Sequence, residues 1–393
     1  VNVTTPSPRR TIFVDALSAL QGGGQTYLVN LFKFMPPTVA ADCRVIVLVP
    51  HGSRSVFAFG PGIEVLSSPY ASRSLISRLI WSTLRLPKLL RKLKIDVLYC
   101  PGGIVSAFGD WKTVVAFRNM LPFSPEERKR FPLGFIRFRL AMLRWIQARS
   151  FRSADLVIFV SHFAKSVIDV VVDARVGSSA VIPHGVSDHF RLPARQPKSI
   201  ALPDGYVCYV SILNAYKAQL QVVVAWHLLR SRRKVKEKLL LVGPSNDQYG
   251  IRVAKLIEEL GLQSEVRIVG NIAYDELPGL YQRATINLFA SSCENCPNIL
   301  LEALSAGRPV LSSDYQPMPE FARDAAMYFD PYSPEKLAVQ LEKLLNDPLL
   351  QADMGRRAAA RSQAYQWEAS ARNTWQALRG LAYRSAAASE VGA

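Results

Sequence analysis

"SSCENCPNILLEALSAGRPVLSSD", residues 291–314, follows the apolar run "TINLFA" (285–290) and reads as loop, helix and strand in succession. Pro297 suits the first helical position, where its missing N–H costs nothing. "NILLEALSA" continues the helix, Gly307 ends it, and "RPVLSS" (308–313) opens the next strand. A strand–loop–helix–strand unit of this kind is the repeat of a parallel α/β sheet.

That reading puts Glu294 in the loop just before a helix N-terminus. Glu302 sits on the helix, about 7–8 Å further along at roughly 1.5 Å per residue. A helix N-terminus attracts phosphate through its free N–H groups. Carboxylates on either side could then hold hydroxyls flanking a diphosphate, a layout that suits a nucleotide-sugar. The same stretch holds a C-x-x-C, Cys293 and Cys296. Structural zinc wants four ligands and this pair supplies two. No histidine is spaced to join it, and Cys43, Cys100 and Cys208 fall in separate predicted strands as core residues. Neither a metal nor a redox pair is expected. Five cysteines in 393 residues point to a reducing compartment.

Working outward, the same texture recurs. "YVCYVSI" (206–212), "KLLLVGP" (238–244) and "EVRIVG" (265–270) are further strands of this series. An earlier series runs through "TIFVDA" (11–16), "CRVIVLVP" (43–50), "IDVLYCPGG" (95–103), "KTVVAF" (112–117), "ADLVIFVS" (154–161) and "AVIPHGV" (180–186), with "QTYLVNLFKFM" (25–35) helical. Between the series lies "RLPARQPKSIALPDG", rich in Pro and basic residues. The expected division is a first domain over 1–190, a linker over 191–205, a second domain over 206–372, and a C-terminal helix with a frayed tail over 373–393. Open α/β sheets bind ligands beyond the carboxyl ends of their strands, so two such domains are expected to face one cleft.

The net charge is +17 and uneven: 24 basic against 11 acidic residues over 1–190, but 24 against 20 over 191–393. Nucleic acid, an anionic membrane or a phosphorylated substrate would all suit it. Residues 73–94 and 128–152 are basic stretches without an acid, each interleaved with apolar residues. Basic amphipathic helices bind anionic membrane surfaces; the plainer alternative is apolar sides in the core and basic chains in water. No nucleic-acid-binding motif appears, so no nucleic acid partner is expected. No run of about 18 uncharged apolar residues occurs, and the opening residues read as a strand rather than a signal peptide. A cytoplasmic protein, peripheral on the inner membrane face, is expected.

"ENCPNILLEALSAGRPVLSSD" resembles the Glu–seven residues–Glu signature of retaining glycosyltransferases of family 4. The resemblance implies a GT-B fold, α/β with two Rossmann-like domains of parallel sheets. It implies that Glu302 accepts hydrogen bonds from ribose hydroxyls and that Glu294 orients the donor sugar. Cys296 and Pro297 depart from the usual Phe-Gly neighbourhood, leaving the amides of Asn298 and Ile299 to face phosphate. "ALQGGGQTY" (19–27) matches the family's Gly-rich loop, and carries that role to Gly23 and Gly24. "YVSILNAYKAQLQVVVAW" (209–226) matches the start of the second domain, where an Arg and a Lys grip the diphosphate. Lys217 matches the Lys; Ser211 to Asn214 stand where the Arg would be. A solvated loop lysine is the alternative reading of Lys217. Arg118 and Asn119 occupy the place of a His-Asp or His-Asn pair. Asn119 would bind a sugar hydroxyl and Arg118 an anionic acceptor. His184, in "IPHGV", is either a turn residue or a ligand. "YQWEASARNTWQAL" (365–378) resembles the family's closing helices.

These residues imply a retaining glycosyltransferase. It would move a sugar from a nucleotide-diphosphate donor to a saccharide or lipid-linked acceptor, for surface polysaccharide of O-antigen, lipopolysaccharide or capsule type. No cofactor or metal is expected if Lys217 and helix amides carry the phosphate charge. The rivals are a sugar-nucleotide epimerase of the same fold, and a basic nucleic-acid- or membrane-binding protein without catalysis.

Overall fold

The structure, a computed structural model, describes residues 9–17, 23–53, 59–60, 62–69, 75–172, 178–232, 235–245 and 248–390. Two compact units form. The first comprises Val1–Asn119, Phe138–His184 and Trp367–Ala393; the second comprises Met120–Arg137 and Gly185–Gln366.

The first unit holds a seven-stranded sheet of β1 (Arg10–Asp15), β2 (Cys43–Pro50), β3 (Ile63–Ser68), β4 (Val97–Cys100), β5 (Lys112–Phe117), β6 (Leu156–Phe159) and β7 (Ser178–Val181). Every pairing is parallel, in the order β3-β2-β1-β4-β5-β6-β7. The central strands are continuous Val, Ile and Phe runs, because helices cover both faces of a parallel sheet. The helix Trp367–Glu390 packs here: Trp375 is buried and donates its Nε1–H to the Leu31 carbonyl at 2.8 Å.

The second unit holds a six-stranded parallel sheet of β8 (Tyr206–Val210), β9 (Lys238–Val242), β10 (Val266–Gly270), β11 (Ile286–Phe289), β12 (Val310–Ser313) and β13 (Met327–Phe329), ordered β10-β9-β8-β11-β12-β13. In both sheets the chain winds outward from a central strand in two directions, which is the doubly wound order. At the end of β9 the backbone must pass close to the end of β8. A Cβ on Gly243 would meet the Ser211 carbonyl at 2.0 Å, and its φ of +144° belongs to glycine.

The unit boundaries differ from those expected in three places. Residues 120–137 fold with the second unit, because Glu127 is buried there against Ser292 and Tyr332. The stretch 191–205 is seated on the second unit rather than free. Gln282 accepts from the Ala194 N–H, Glu276 from the Lys198 N–H, and the Arg195 carbonyl lies where a Cβ on Gly279 would stand. Gly185 onward already belongs to that unit, and the closing segment starts at Trp367 rather than 373. Its helix runs to Glu390, through most of the stretch expected to fray. The strands β3 and β13 were not anticipated from the sequence.

Candidate active site

In the second unit, the candidate residues gather at the carboxyl ends of β8 and β11. Lys217 closes a short 3-10 turn, Ala215–Lys217, shortly after β8. Its carbonyl accepts from the Tyr209 hydroxyl at 2.7 Å, and Ala218 follows at φ +54°. This anchoring turns the lysine inward: Lys217 is 5% exposed, so it is not a solvated loop lysine. Its Nζ forms an ion pair with Glu294 Oε1 and lies 5.0 Å from the Tyr216 ring centre and 5.4 Å from that of Phe289. The Ser291 hydroxyl donates to the same Glu294 oxygen at 2.6 Å. Two residues given separate tasks by the resemblance therefore form one ion pair, with Lys217 buried and Glu294 half-buried beside it.

The helix after this loop is Asn298–Ser305, with Pro297 one position earlier than its first turn. The Asn298 N–H donates to the Cys296 carbonyl at 2.9 Å, so one of the two amides expected to face phosphate is already engaged within the loop. Glu302 is buried on this helix and accepts from the Tyr274 hydroxyl at 3.1 Å. Burial pushes its carboxyl up to about 8, against the opposing pull of the Tyr274 and Tyr281 hydroxyls. Where an arginine would stand, Gln219 Nε2 donates to Ser211 Oγ at 2.8 Å and to the Ile212 carbonyl at 3.0 Å. The loop is thus closed by an amide, and carries no second cation.

Cys293 is buried, and its thiol is pushed up by burial and by the neighbouring Glu294 and Glu127 charges. Cys43, Cys100 and Cys208 are buried core residues. Among the described residues no group of three His, Cys, Asp or Glu side chains is placed to hold a metal.

In the first unit, Gly23 and Gly24 open the helix Gly23–Lys33; residues 18–22 of the Gly-rich stretch lie outside the described residues. Arg118, just beyond β5, donates from Nε to the Pro101 carbonyl at 2.8 Å and from Nη1 toward the Gly24 carbonyl at 3.5 Å, with its guanidinium 4.8 Å over Tyr27. Asn119 beside it is exposed. The structure brings Arg118 and Gly24 together within this unit. His184 is buried between Tyr27 and Trp367, at ring distances of 5.2 and 5.4 Å, which is a packing role.

Glu127, Tyr274, Ser292 and Tyr332 carry no local signal in the sequence; within "PEERKR" nothing distinguishes Glu127 from Glu126.

Known proteins bear on this arrangement. The family model described as Glycosyltransferase Family 4 matches residues 21–190, and the model described as Glycosyl transferases group 1 matches residues 191–361. The chain is 26% identical over 228 residues to O-antigen chain mannosyltransferase B of Escherichia coli, covering 56% of this chain and 59% of that protein. It spans less than two thirds of the length of the curated relatives it first matches. Sucrose-phosphate synthase from Thermosynechococcus elongatus superposes with a TM-score of 0.75 at 18% identity, covering 95% of this chain and 99% of that one. Anabaena Alr3699/HepE, solved with UDP and glucose, superposes with a TM-score of 0.68 at 19% identity, covering 95% of this chain and all of that one. With two parallel-sheet units and these two domain models end to end, the chain belongs among the glycosyltransferases of GT-B fold.

Proposed function

We propose that the protein is a retaining glycosyltransferase that uses a nucleotide-diphosphate sugar. The observation that carries this is the buried Lys217–Glu294 pair at the strand ends of the second unit, one loop away from the helix bearing Glu302. A buried ion pair seldom repays its desolvation as pure scaffolding, and groups held this way cluster at functional sites. Lys217 and the first-turn amides neutralise the departing diphosphate, an electrostatic task that needs no metal. Glu294 holds a donor-sugar hydroxyl, and Glu302 takes the ribose hydroxyls. No side chain is assigned as base; the leaving phosphate accepts the acceptor's proton, as the resemblance implies. In the first unit, Gly23, Gly24, Arg118 and Asn119 serve the acceptor.

The acceptor we propose is a lipid-linked saccharide for surface polysaccharide, met at an anionic membrane surface on the cytoplasmic side. Two facts support this. The relative named above is an O-antigen chain mannosyltransferase. The helix Phe135–Ser153 leaves Phe138 68% and Trp145 66% exposed, with Arg139 and Arg149 exposed beside them. That is apolar surface with basic surroundings and no acid, the composition of an interfacial helix. Trp145, Arg149, Arg152 and Ser153 line an open hollow of about 280 Å³ on the same helix. Among the described residues no helix is long and apolar enough to cross a membrane.

The test is a thermal-shift screen of UDP, GDP and ADP and their common sugars on wild type and Glu302→Ala, since a ligand of the native state raises its melting temperature. One nucleotide class should stabilise wild type and lose its effect in the variant. Stabilisation by an oligonucleotide and by no nucleotide would overturn the reading. Turnover of the sugar without any acceptor would identify an epimerase instead.

A further inference from the structure

The chain leaves the first unit after Asn119, and Met120–Arg137 folds with the second. Its short helix Pro125–Arg130 is capped by Ser124, whose Oγ accepts from the Glu127 N–H at 3.4 Å. Five of the six helix residues are charged, yet Glu127 is only 3% exposed. Its Oε1 accepts from Ser292 Oγ at 2.6 Å and from the Tyr332 hydroxyl at 3.1 Å, and these two hydroxyls lie 2.6 Å apart. Its Oε2 takes the Arg130 Nε at 2.9 Å, and the Arg130 guanidinium lies 4.3 Å over the Tyr332 ring. The carboxylate is therefore fully partnered, as a buried charge must be.

The other end of this network touches the candidate site twice. Ser292 stands two residues before Glu294, and its N–H donates to the Tyr216 carbonyl at 2.8 Å. Tyr216 immediately precedes Lys217. The loop bearing Glu294 and the turn bearing Lys217 are thus tied to each other at Ser292, and Ser292 is tied to Glu127.

We infer that Glu127 is a positioning residue for the Lys217–Glu294 pair: through Ser292 and Tyr332 it fixes the loop that carries Glu294 in register with the turn that carries Lys217. This rests on the glycosyltransferase reading of that pair. A carboxylate suits the task because it accepts from two hydroxyls on one oxygen while Arg130 holds the other. An apolar packing residue at this point would remove the acceptor that both hydroxyls share, leaving Ser292 Oγ only the Tyr216 carbonyl at 3.2 Å and the Tyr332 hydroxyl only Ser292 Oγ at 2.6 Å.

The test joins amide hydrogen exchange to kinetics in Glu127→Ala, Glu127→Gln and Ser292→Ala, with exposed Glu126→Ala as control. Exchange over residues 290–297 should quicken about tenfold or more in Glu127→Ala and stay at wild-type rate in the control. With the donor that the screen identifies, kcat should fall about 10- to 100-fold while KM moves less, the cost of a misplaced catalytic group. Glu127→Gln keeps an acceptor oxygen and should recover part of that loss. Adding Ser292→Ala to Glu127→Ala should cost little more, since the two act in series. A lowered melting temperature with unchanged kcat and unchanged exchange at 290–297 would overturn the inference. If Glu127→Ala does not fold, Glu127→Gln and Ser292→Ala carry the same readings. If wild type transfers no sugar from any donor, the enzyme reading fails, while exchange at 290–297 still decides whether Glu127 holds the loop.

Discussion

The two units treat charge in opposite ways. In the second, the charges of the candidate site have partners, Lys217 with Glu294 and Glu127 with Ser292, Tyr332 and Arg130, while the buried Glu302, whose carboxyl is held toward its neutral form, accepts from Tyr274. In the first, Arg118 rests on backbone carbonyls and the Tyr27 ring, and Arg139, Arg149 and Arg152 are exposed on a helix with exposed Phe138 and Trp145. A site whose dipoles are already fixed does not reorganise when a charged ligand arrives, which is the condition for electrostatic catalysis. A surface of exposed aromatics and exposed arginines gains by docking onto something apolar and anionic. On this account the second unit does the chemistry and the first recruits the acceptor.

The largest effect expected from breaking that contrast is at Lys217. Lys217→Met removes the cation and leaves Glu294 buried without its partner, so kcat should fall about 100- to 1,000-fold in a transfer assay. Neutralising Arg139 and Arg149 to Gln should leave turnover of a water-soluble acceptor untouched. It should weaken sedimentation with vesicles containing anionic lipid by roughly thirtyfold, at about 1 kcal/mol per basic residue. Equal binding to neutral and anionic vesicles would remove the recruiting role from this helix.

Glu302 sharpens the contrast through pH. Its folded carboxyl is raised to about 8 from an ordinary 4.5, so the native state keeps a proton that the unfolded chain gives up. The stability it contributes is fully present below the unfolded value and is lost as pH rises through about 8. Thermal melts of Glu302→Gln should therefore lose less stability than wild type between pH 6 and pH 9. Ribose hydroxyls donating to the carboxylate favour its ionised form, so nucleotide affinity of wild type should climb over the same rise in pH. The smallest effect belongs to Arg44–Glu64, a bidentate pair on the exposed face of β2 and β3. Charge-neutral replacement of both should change stability by about 0.5 kcal/mol or less in denaturant melts.

Much of the fold was legible because burial on both faces writes itself as unbroken apolar runs, as in "CRVIVLVP" and "KLLLV". The strand β3 escaped because it lies at a sheet edge and carries Glu64 and two serines among its six residues, and β13 because it spans three residues. Of the site, Glu294 and Glu302 were legible from their spacing within one loop and helix, and Lys217 from the resemblance of 209–226 to the family's strand–loop–helix. Glu127 was not: its partner Ser292 lies 165 residues away, and a distance of that order leaves no periodicity to read. The ion pair between Lys217 and Glu294, 77 residues apart, was hidden for the same reason. Local pattern identified the groups, and the fold decided which of them meet.

The most direct measurement is a calorimetric titration of the nucleoside diphosphate picked out by the screen, and of its nucleoside, into wild type and Lys217→Met. The account predicts that the diphosphate loses about tenfold to hundredfold in affinity on substitution, as expected for a hydrogen bond to a charged group, while the nucleoside loses nothing. Equal diphosphate affinity in both proteins would contradict it, because Lys217 would then carry none of the phosphate charge.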